Sequence, residues 1–253
     1  HGDVRPERAS IALRRAWVNR HWSGGSSNDI AFAWNGTEFA AIVSDYDRGI
    51  AKVQTGLDSI LVTHALSRFI GDRQPAMSEV TVIETEHAVV RDRLIVPAAN
   101  LLQGIAWHPS GDYALFTLLR TKNLVPMTRI NHGWTISNGL GILWRDGAID
   151  QVLLDQNHLC FSDPADVCIT PDGRLALVTS SSSDRVAVVD VARLAALLEG
   201  ASPRERERVL PNHLGKSTEF IVTHLRTESC PKGITCSADG STAYVASMLD
   251  DSV

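Results

Sequence analysis

The stretch PADVCITPDGRLALVTSSSSDRV, residues 164–186, decides the fold. A short apolar run leads into Asp172-Gly173, and a second β-rich run follows it over 175–180. Asp-Gly between two such runs is a strong hairpin signal, because the glycine takes the positive φ that a tight turn needs. Laid without gaps over PKGITCSADGSTAYVASMLDDSV, residues 231–253, the stretch coincides at eight of twenty-three positions. These are Pro164, Asp172, Gly173, Ala176, Val178, Ser180, Asp184 and Val186, matched by Pro231, Asp239, Gly240, Ala243, Val245, Ser247, Asp251 and Val253. Agreement at that density is an internal repeat, and a repeat outranks local propensity as a guide to architecture.

Looser copies lie upstream. QGIAWHPSG at 103–111 sits in register with KGITCSADG at 232–240, and NDIAFAWNG at 28–36 fits the same frame. The anchoring glycines are Gly36, Gly111, Gly173 and Gly240, spaced by 75, 62 and 67 residues. Within the second copy, the runs 104–107 and 113–119 are followed by 141–145, an Asp146-Gly147 turn, and 149–154. Four antiparallel strands per unit, repeated along the chain, make an all-β fold of the β-propeller kind. We expect blades at 28–101, 102–163 and 164–230, and the start of a further blade at 231–253. Residues 1–27 form an N-terminal segment in which 11–22 reads as the outer strand of a neighbouring blade. That gives about three and a half blades and an incomplete ring. Val80–Ile83 and 93–96 are the expected outer strands of the first unit, and 186–190 and 220–224 those of the third. Helical spacing is expected at 57–69 and at 191–198, with Gly200 as a C-cap. The alternating charges of 202–208 read as a solvated loop or a short exposed helix.

Composition narrows the function classes. Of 253 residues, 24 are Lys or Arg and 29 are Asp or Glu, so a formal charge of −5 gives no electrostatic case for nucleic acid or anionic lipid. No apolar run nears the roughly 20 residues that span a bilayer. The first residues have neither the basic nor the apolar region of a secretion signal, and there is no initiator methionine.

The segment 231–253, with Tyr244-Val245-Ala246-Ser247 and Asp251-Ser252-Val253, resembles the YVTN-type bacterial β-propeller repeat, which is related in architecture to WD40-like repeats. Residues 164–186 follow the same pattern with Leu177 at the tyrosine position. The earlier units lack the Tyr-Val core and are longer than the usual repeats. A second resemblance rests on Asn123 to Pro126, Asn131-His132-Gly133-Trp134 and Asn138-Gly139-Leu140-Gly141. These are similar to propeller regions of bacterial proteins related to di-haem cytochrome c peroxidases. That resemblance implies a redox-associated setting in the periplasm or outside the cell.

Motifs for chemistry are sparse. The Cys-x-x-Cys-His run that attaches c-type haem is absent, so we expect no cofactor within this segment and any haem on further sequence or on a cytochrome partner. His108 and His132 are the candidate haem or ligand residues, since loops of one propeller face can converge from distant blades. Asp45, Asp47, Asp250 and Asp251 recur in the turn after the second strand. Paired carboxylates there could hold Ca²⁺, but their recurrence favours side chains that bond the local backbone. Cys160 with Cys168, and Cys230 with Cys236, fall where one blade hands over to the next. Each pair either forms a local disulfide in an oxidising compartment or stays as buried thiols. Gly215-Lys216-Ser217-Thr218 lacks the earlier glycine of a phosphate loop, because residue 210 is Leu. The six tryptophans read as packing between blades.

The expected function is therefore an extracytoplasmic docking or ligand-binding platform with a protein partner and no recognisable catalytic motif. The alternative is the propeller part of a periplasmic haem-linked oxidoreductase. A metal-dependent lactonase or other hydrolase is a weaker third reading.

Overall fold

The computed structural model describes residues 30–34, 39–43, 50–55, 58–67, 76–84, 89–121 and 136–253. Its strands pair in antiparallel fashion throughout. A hairpin of β1 (Ile30–Trp34) and β2 (Phe39–Val43) comes first. Then β3 (Ile50–Thr55), β4 (Ser59–His64), β5 (Met77–Glu84) and β6 (Val89–Pro97) form the first four-stranded blade, in that order. The second blade is built on β9 (Tyr113–Thr121), β10 (Ile136–Trp144) and β11 (Ile149–Leu153). Its inner edge is supplied in two pieces, β7 (Ala99–Asn100) and β8 (Ile105–Trp107), both paired to β9. The third blade runs β12 (Pro164–Ile169), β13 (Leu175–Ser180), β14 (Arg185–Asp190) and β15 (Ile221–Arg226). A last hairpin joins β16 (Pro231–Cys236) to β17 (Ala243–Ser247). Strands β3, β8, β12 and β16 pack against one another in chain order, as inner strands do around a propeller axis. The fold is a β-propeller.

Two sequence expectations change here. The unit 28–101 is not one blade: its first hairpin stands as a separate sheet, and the blade that ends at Pro97 begins at Ile50. The run 57–69 is not helical either, because 59–64 is a strand. Ser59 to Thr63 are all buried, and β4 lies between β3 and β5. A strand covered on both faces gives an unbroken apolar run, which periodicity alone does not separate from a helix. Residues 11–22 lie outside the described residues.

The same two-faced burial explains the sequence texture elsewhere. On β9, Ala114, Phe116 and Leu118 face the first blade and pack with Leu61, Val80, Val82 and Ile105. Leu115, one residue out of step, joins Leu140, Ile142, Val167, Ala176 and Val178 between the second and third blades. Alternate residues thus fill alternate interfaces, so β9 is apolar from Ala114 to Leu119 except at Thr117.

Helix α1 (Val191–Gly200) grows from β14, with the Asp190 carboxylate accepting from Arg193 N as its N-cap. It buries Val191, Leu194 and Leu198 on one stripe. Its C-cap is Ala201, in extended conformation, so Gly200 is the last helical residue and not the cap. Helix α2 (Pro203–Arg208) buries nothing and is held by a capping box between Ser202 and Glu205. Arg206 then reaches back to Asp150 at 3.2 Å and to the carbonyl of Leu198 at 2.8 Å, laying the insertion over the second blade.

Candidate functional site

The approach to three inner strands, β8, β12 and β16, is built by a repeated device. Leu101, Asp163 and Cys230 occupy equivalent places and all take a positive φ, of 47°, 56° and 61°. This turns the incoming crossover into the inner strand, and a register shift follows between Pro164 and Val167 and between Pro231 and Gly233. The amide freed by the irregularity is caught by a threonine of the next strand. Gly104 N donates to Thr117 Oγ1 at 2.8 Å, and Asp166 N donates to Thr179 Oγ1 at 2.9 Å. Backbone groups buried here would otherwise lack partners.

Asp163 gathers three successive repeats at this end. Its carboxylate accepts from Gln103 Nε2 at 2.9 Å, from the Ser181 hydroxyl, and faces Lys232 Nζ at 3.4 Å. The carboxylate and ammonium are both partly open to solvent. One residue pair inward, Asp166 is buried and spans two blades, accepting from Val167 N at 2.8 Å and Ile234 N at 3.3 Å. The cluster can therefore tie inner strands and present an ionic pair to a polar group at one mouth of the blade array.

A second polar knot closes the crossover from β11 to β12. Asp155 is fully buried and accepts from Asn138 N at 2.6 Å, Asn138 Nδ2 at 3.0 Å and Phe161 N at 2.8 Å. Burial raises its pKa while these donors pull the other way. Asn138 Oδ1 in turn accepts from Asp163 N at 3.1 Å, so the two carboxylates share one scaffold.

The sequence candidates are distributed rather than assembled. His108 stacks on Tyr113 with ring centroids 4.6 Å apart, its Nδ1 is 2.8 Å from Ser110 Oγ, and its Nε2 is 3.1 Å from the Gly173 carbonyl. Both ring nitrogens are engaged: Nδ1 within its own turn, and Nε2 in joining the second blade to the third. Burial beneath this stack, with the charge of Asp112, pushes the Tyr113 phenol up to about 12. His132, Asp45 and Asp47 lie outside the described residues. The Asp250 carboxylate accepts from Ser229 N, and Asp251 takes φ 46°, as its counterpart Asp184 takes 49°. Asp184 itself accepts from Cys230 N at 2.8 Å. Among the described residues no group of three or more His, Cys, Asp or Glu is arranged to hold a metal ion. No helix among them is long and apolar enough to cross a membrane.

The cysteines meet differently from their spacing. Cys160 contacts Ser162 Oγ at 3.1 Å, and Cys168 lies 3.0 Å, sulfur to sulfur, from Cys236. Local pairs 160/168 and 230/236 are thus not the ones brought together. Inner strands pack along the axis, which aligns residues one repeat apart and sends neighbours in sequence to opposite ends.

The outer strands expected at 93–96 and 220–224 are β6 and β15, and what sequence reasoning missed is the apolar surface they expose. Among the described residues, the last strands β6 and β15 each pair on one side only. Val89, Val90 and Ile95 on β6 are exposed, as are Val222 and Leu225 on β15, each of the latter at 52%.

No family model matches the sequence. It is similar to the beta subunit of hydrazine synthase from Kuenenia stuttgartiensis, 23% identical over 167 residues, which is 65% of this chain and 43% of that one. The solved hydrazine synthase of Kuenenia stuttgartiensis superposes with a TM-score of 0.73 at 18% identity, covering 88% of this chain and 66% of that chain. The periplasmic gluconolactonase PpgL of Pseudomonas aeruginosa aligns with a TM-score of 0.49 at 14% identity, over 88% of this chain and 59% of that one. The chain spans less than half the length of the curated relative it matches.

Proposed function

We propose that the chain is a docking platform, a propeller outside the cytoplasm whose blade edges hold other subunits of a redox enzyme assembly. The observation that carries this is the pair of outer edges, β6 and β15, where strand backbone unpaired among the described residues coincides with exposed apolar side chains. Such edges invite pairing with another chain unless they are covered. Similarity to a protein named as a subunit of a synthase supports the same reading. In this reading the repeats are of the YVTN type, and haem, where present, sits on a cytochrome partner or on further sequence of the same protein.

The test is the native mass and the visible spectrum of the full gene product purified from its source, air-oxidised and then reduced with dithionite. A defined multi-protein assembly, lost in the Val222→Glu, Leu225→Glu variant while the chain stays folded by circular dichroism, is the expected result. A Soret band in that assembly would add the haem-linked oxidoreductase role. A colourless chain that runs as a lone species would overturn the docking reading.

A further inference from the structure

We infer that Cys168 and Cys236 are an oxidisable dithiol whose disulfide clasps the β16–β17 hairpin to the third blade. The two sulfurs lie 3.0 Å apart and belong to adjacent inner strands, 68 residues apart in sequence. That gap exceeds a disulfide bond by only about 1 Å, so closure needs little backbone movement. Both residues are partly buried, so an oxidant of small size can reach them without unfolding the sheet.

The position gives the clasp its consequence. At one end of the β12–β16 contact the ties are Lys232 to Asp163 at 3.4 Å and Ile234 N to Asp166 at 3.3 Å, both long for strong hydrogen bonds. At the other end Gly240 rests on the ring of Pro171. Among the described residues, strand β17 pairs with β16 alone in its sheet. A two-stranded hairpin is marginal by itself, so how firmly it sits depends on these contacts. A covalent link at the Cys168 end would replace the thiol–thiol contact between β12 and β16 with a bond that persists when the hairpin opens.

The chemistry balances with a disulfide oxidant such as oxidised glutathione. One protein thiolate attacks the glutathione disulfide and releases one glutathione thiol. The second protein thiolate then attacks the mixed disulfide, releasing the other, so the protein loses two electrons and two protons in all.

The experiment takes the whole chain, reduces it without air, removes the reductant and equilibrates it with oxidised glutathione. Thiol titration in denaturant should fall from four to two per chain. A trypsin–chymotrypsin digest, which cuts after Phe161 and after Lys232, should yield one cross-linked peptide joining Cys168 to Cys236. The Cys160→Ser, Cys230→Ser double variant should still lose two thiols, and Cys236→Ser should not form the cross-link. Oxidation should also slow hydrogen exchange of amides 231–247 by about tenfold, as closing a local opening does. Cross-links within 160/168 or 230/236, or four thiols that persist, would overturn the pairing. Unchanged exchange in the cross-linked chain would overturn the clasp.

Discussion

The imidazole of His108 reaches across a blade boundary to the carbonyl of Gly173, with Nε2 at 3.1 Å. Gly173 lies in the Asp-Gly turn between β12 and β13, so the loop end of one repeat is the docking point for the repeat before it. The next turn copies the arrangement with different chemistry, since Gly240 lies against Pro171, the residue that follows the position equivalent to His108. Repetition of the turn and stacking of the blades are therefore one constraint.

Gly173 carries two requirements at once: its φ is +72°, and a Cβ added there would fall 2.5 Å from His108 Nε2. Gly173→Ala should therefore destabilise the protein by about 1–3 kcal/mol, from the left-handed conformation and from overpacking. Gly200→Ala is the contrast, because nothing lies within 4 Å of a Cβ there and the residue ends α1. That change should stabilise by up to about 1 kcal/mol. Urea unfolding of both variants checks the opposite signs.

Gly141 on β10 stands opposite Phe116 on β9, and the phenyl ring covers it. A Cβ at 141 would lie 2.1 Å from the ring's Cζ, so Gly141→Ala forces Phe116, fully buried, out of its place. The loss should be about 2–3 kcal/mol or more. Gly141→Ala combined with Phe116→Leu should recover part of it, because the shorter side chain vacates the contact. Thermal unfolding of the single and double variants measures the recovery, and an undiminished loss in the double variant would show that the ring is not the obstacle.

The threonines behind the inner-strand irregularity give a test of the repeat itself. Thr179 Oγ1 accepts from Asp166 N and lies 3.4 Å from the Asp166 carbonyl. Thr179→Val keeps the shape and leaves that buried amide without its acceptor, which should cost about 1–3 kcal/mol. Thr179→Ser retains the hydroxyl and should cost less. The equivalent position in the last hairpin is Ala246, so no threonine stands there to make the bond. Chemical denaturation comparing the valine and serine variants separates loss of the hydroxyl from loss of the methyl.

How much of this was legible follows from where each signal arises. The third blade could be read because Asp172-Gly173 and Asp239-Gly240 mark turns whose geometry is set within four residues. The 191–200 helix was visible because Val191, Leu194 and Leu198 form one stripe. The 59–64 strand was not, since its burial on both faces erases the alternation that distinguishes a strand. The boundary between the first hairpin and the first blade was lost because β3, IAKVQT over Ile50–Thr55, mixes apolar and polar residues without a clear period. Contacts between blades were least legible. Cys168 meets Cys236, and Asp163 meets Gln103 and Lys232, because inner strands from different repeats pack around one axis. Spacing within a repeat carries no trace of that. Some glycines are the exception, since Gly104, Gly147, Gly173 and Gly240 each mark a place where a neighbouring repeat comes close.

His224 supplies the pH dependence. It sits on β15 with its ring 5.8 Å from that of Phe161, and among the described residues its Nε2 is buried without a hydrogen-bond partner. Burial, and after it the charge of Arg185, lowers its pKa from the ordinary 6.5. The folded chain then binds the proton less readily than the unfolded chain. The stability this contributes is complete above pH 6.5 and declines as pH falls through the folded-state pKa. His224→Phe keeps an aromatic ring against Phe161 and removes the titration. Its stability should therefore fall less steeply than that of the parent between pH 7 and pH 5, measured as urea midpoints at each pH. Parallel pH profiles for the two proteins would show that His224 is not the group being titrated.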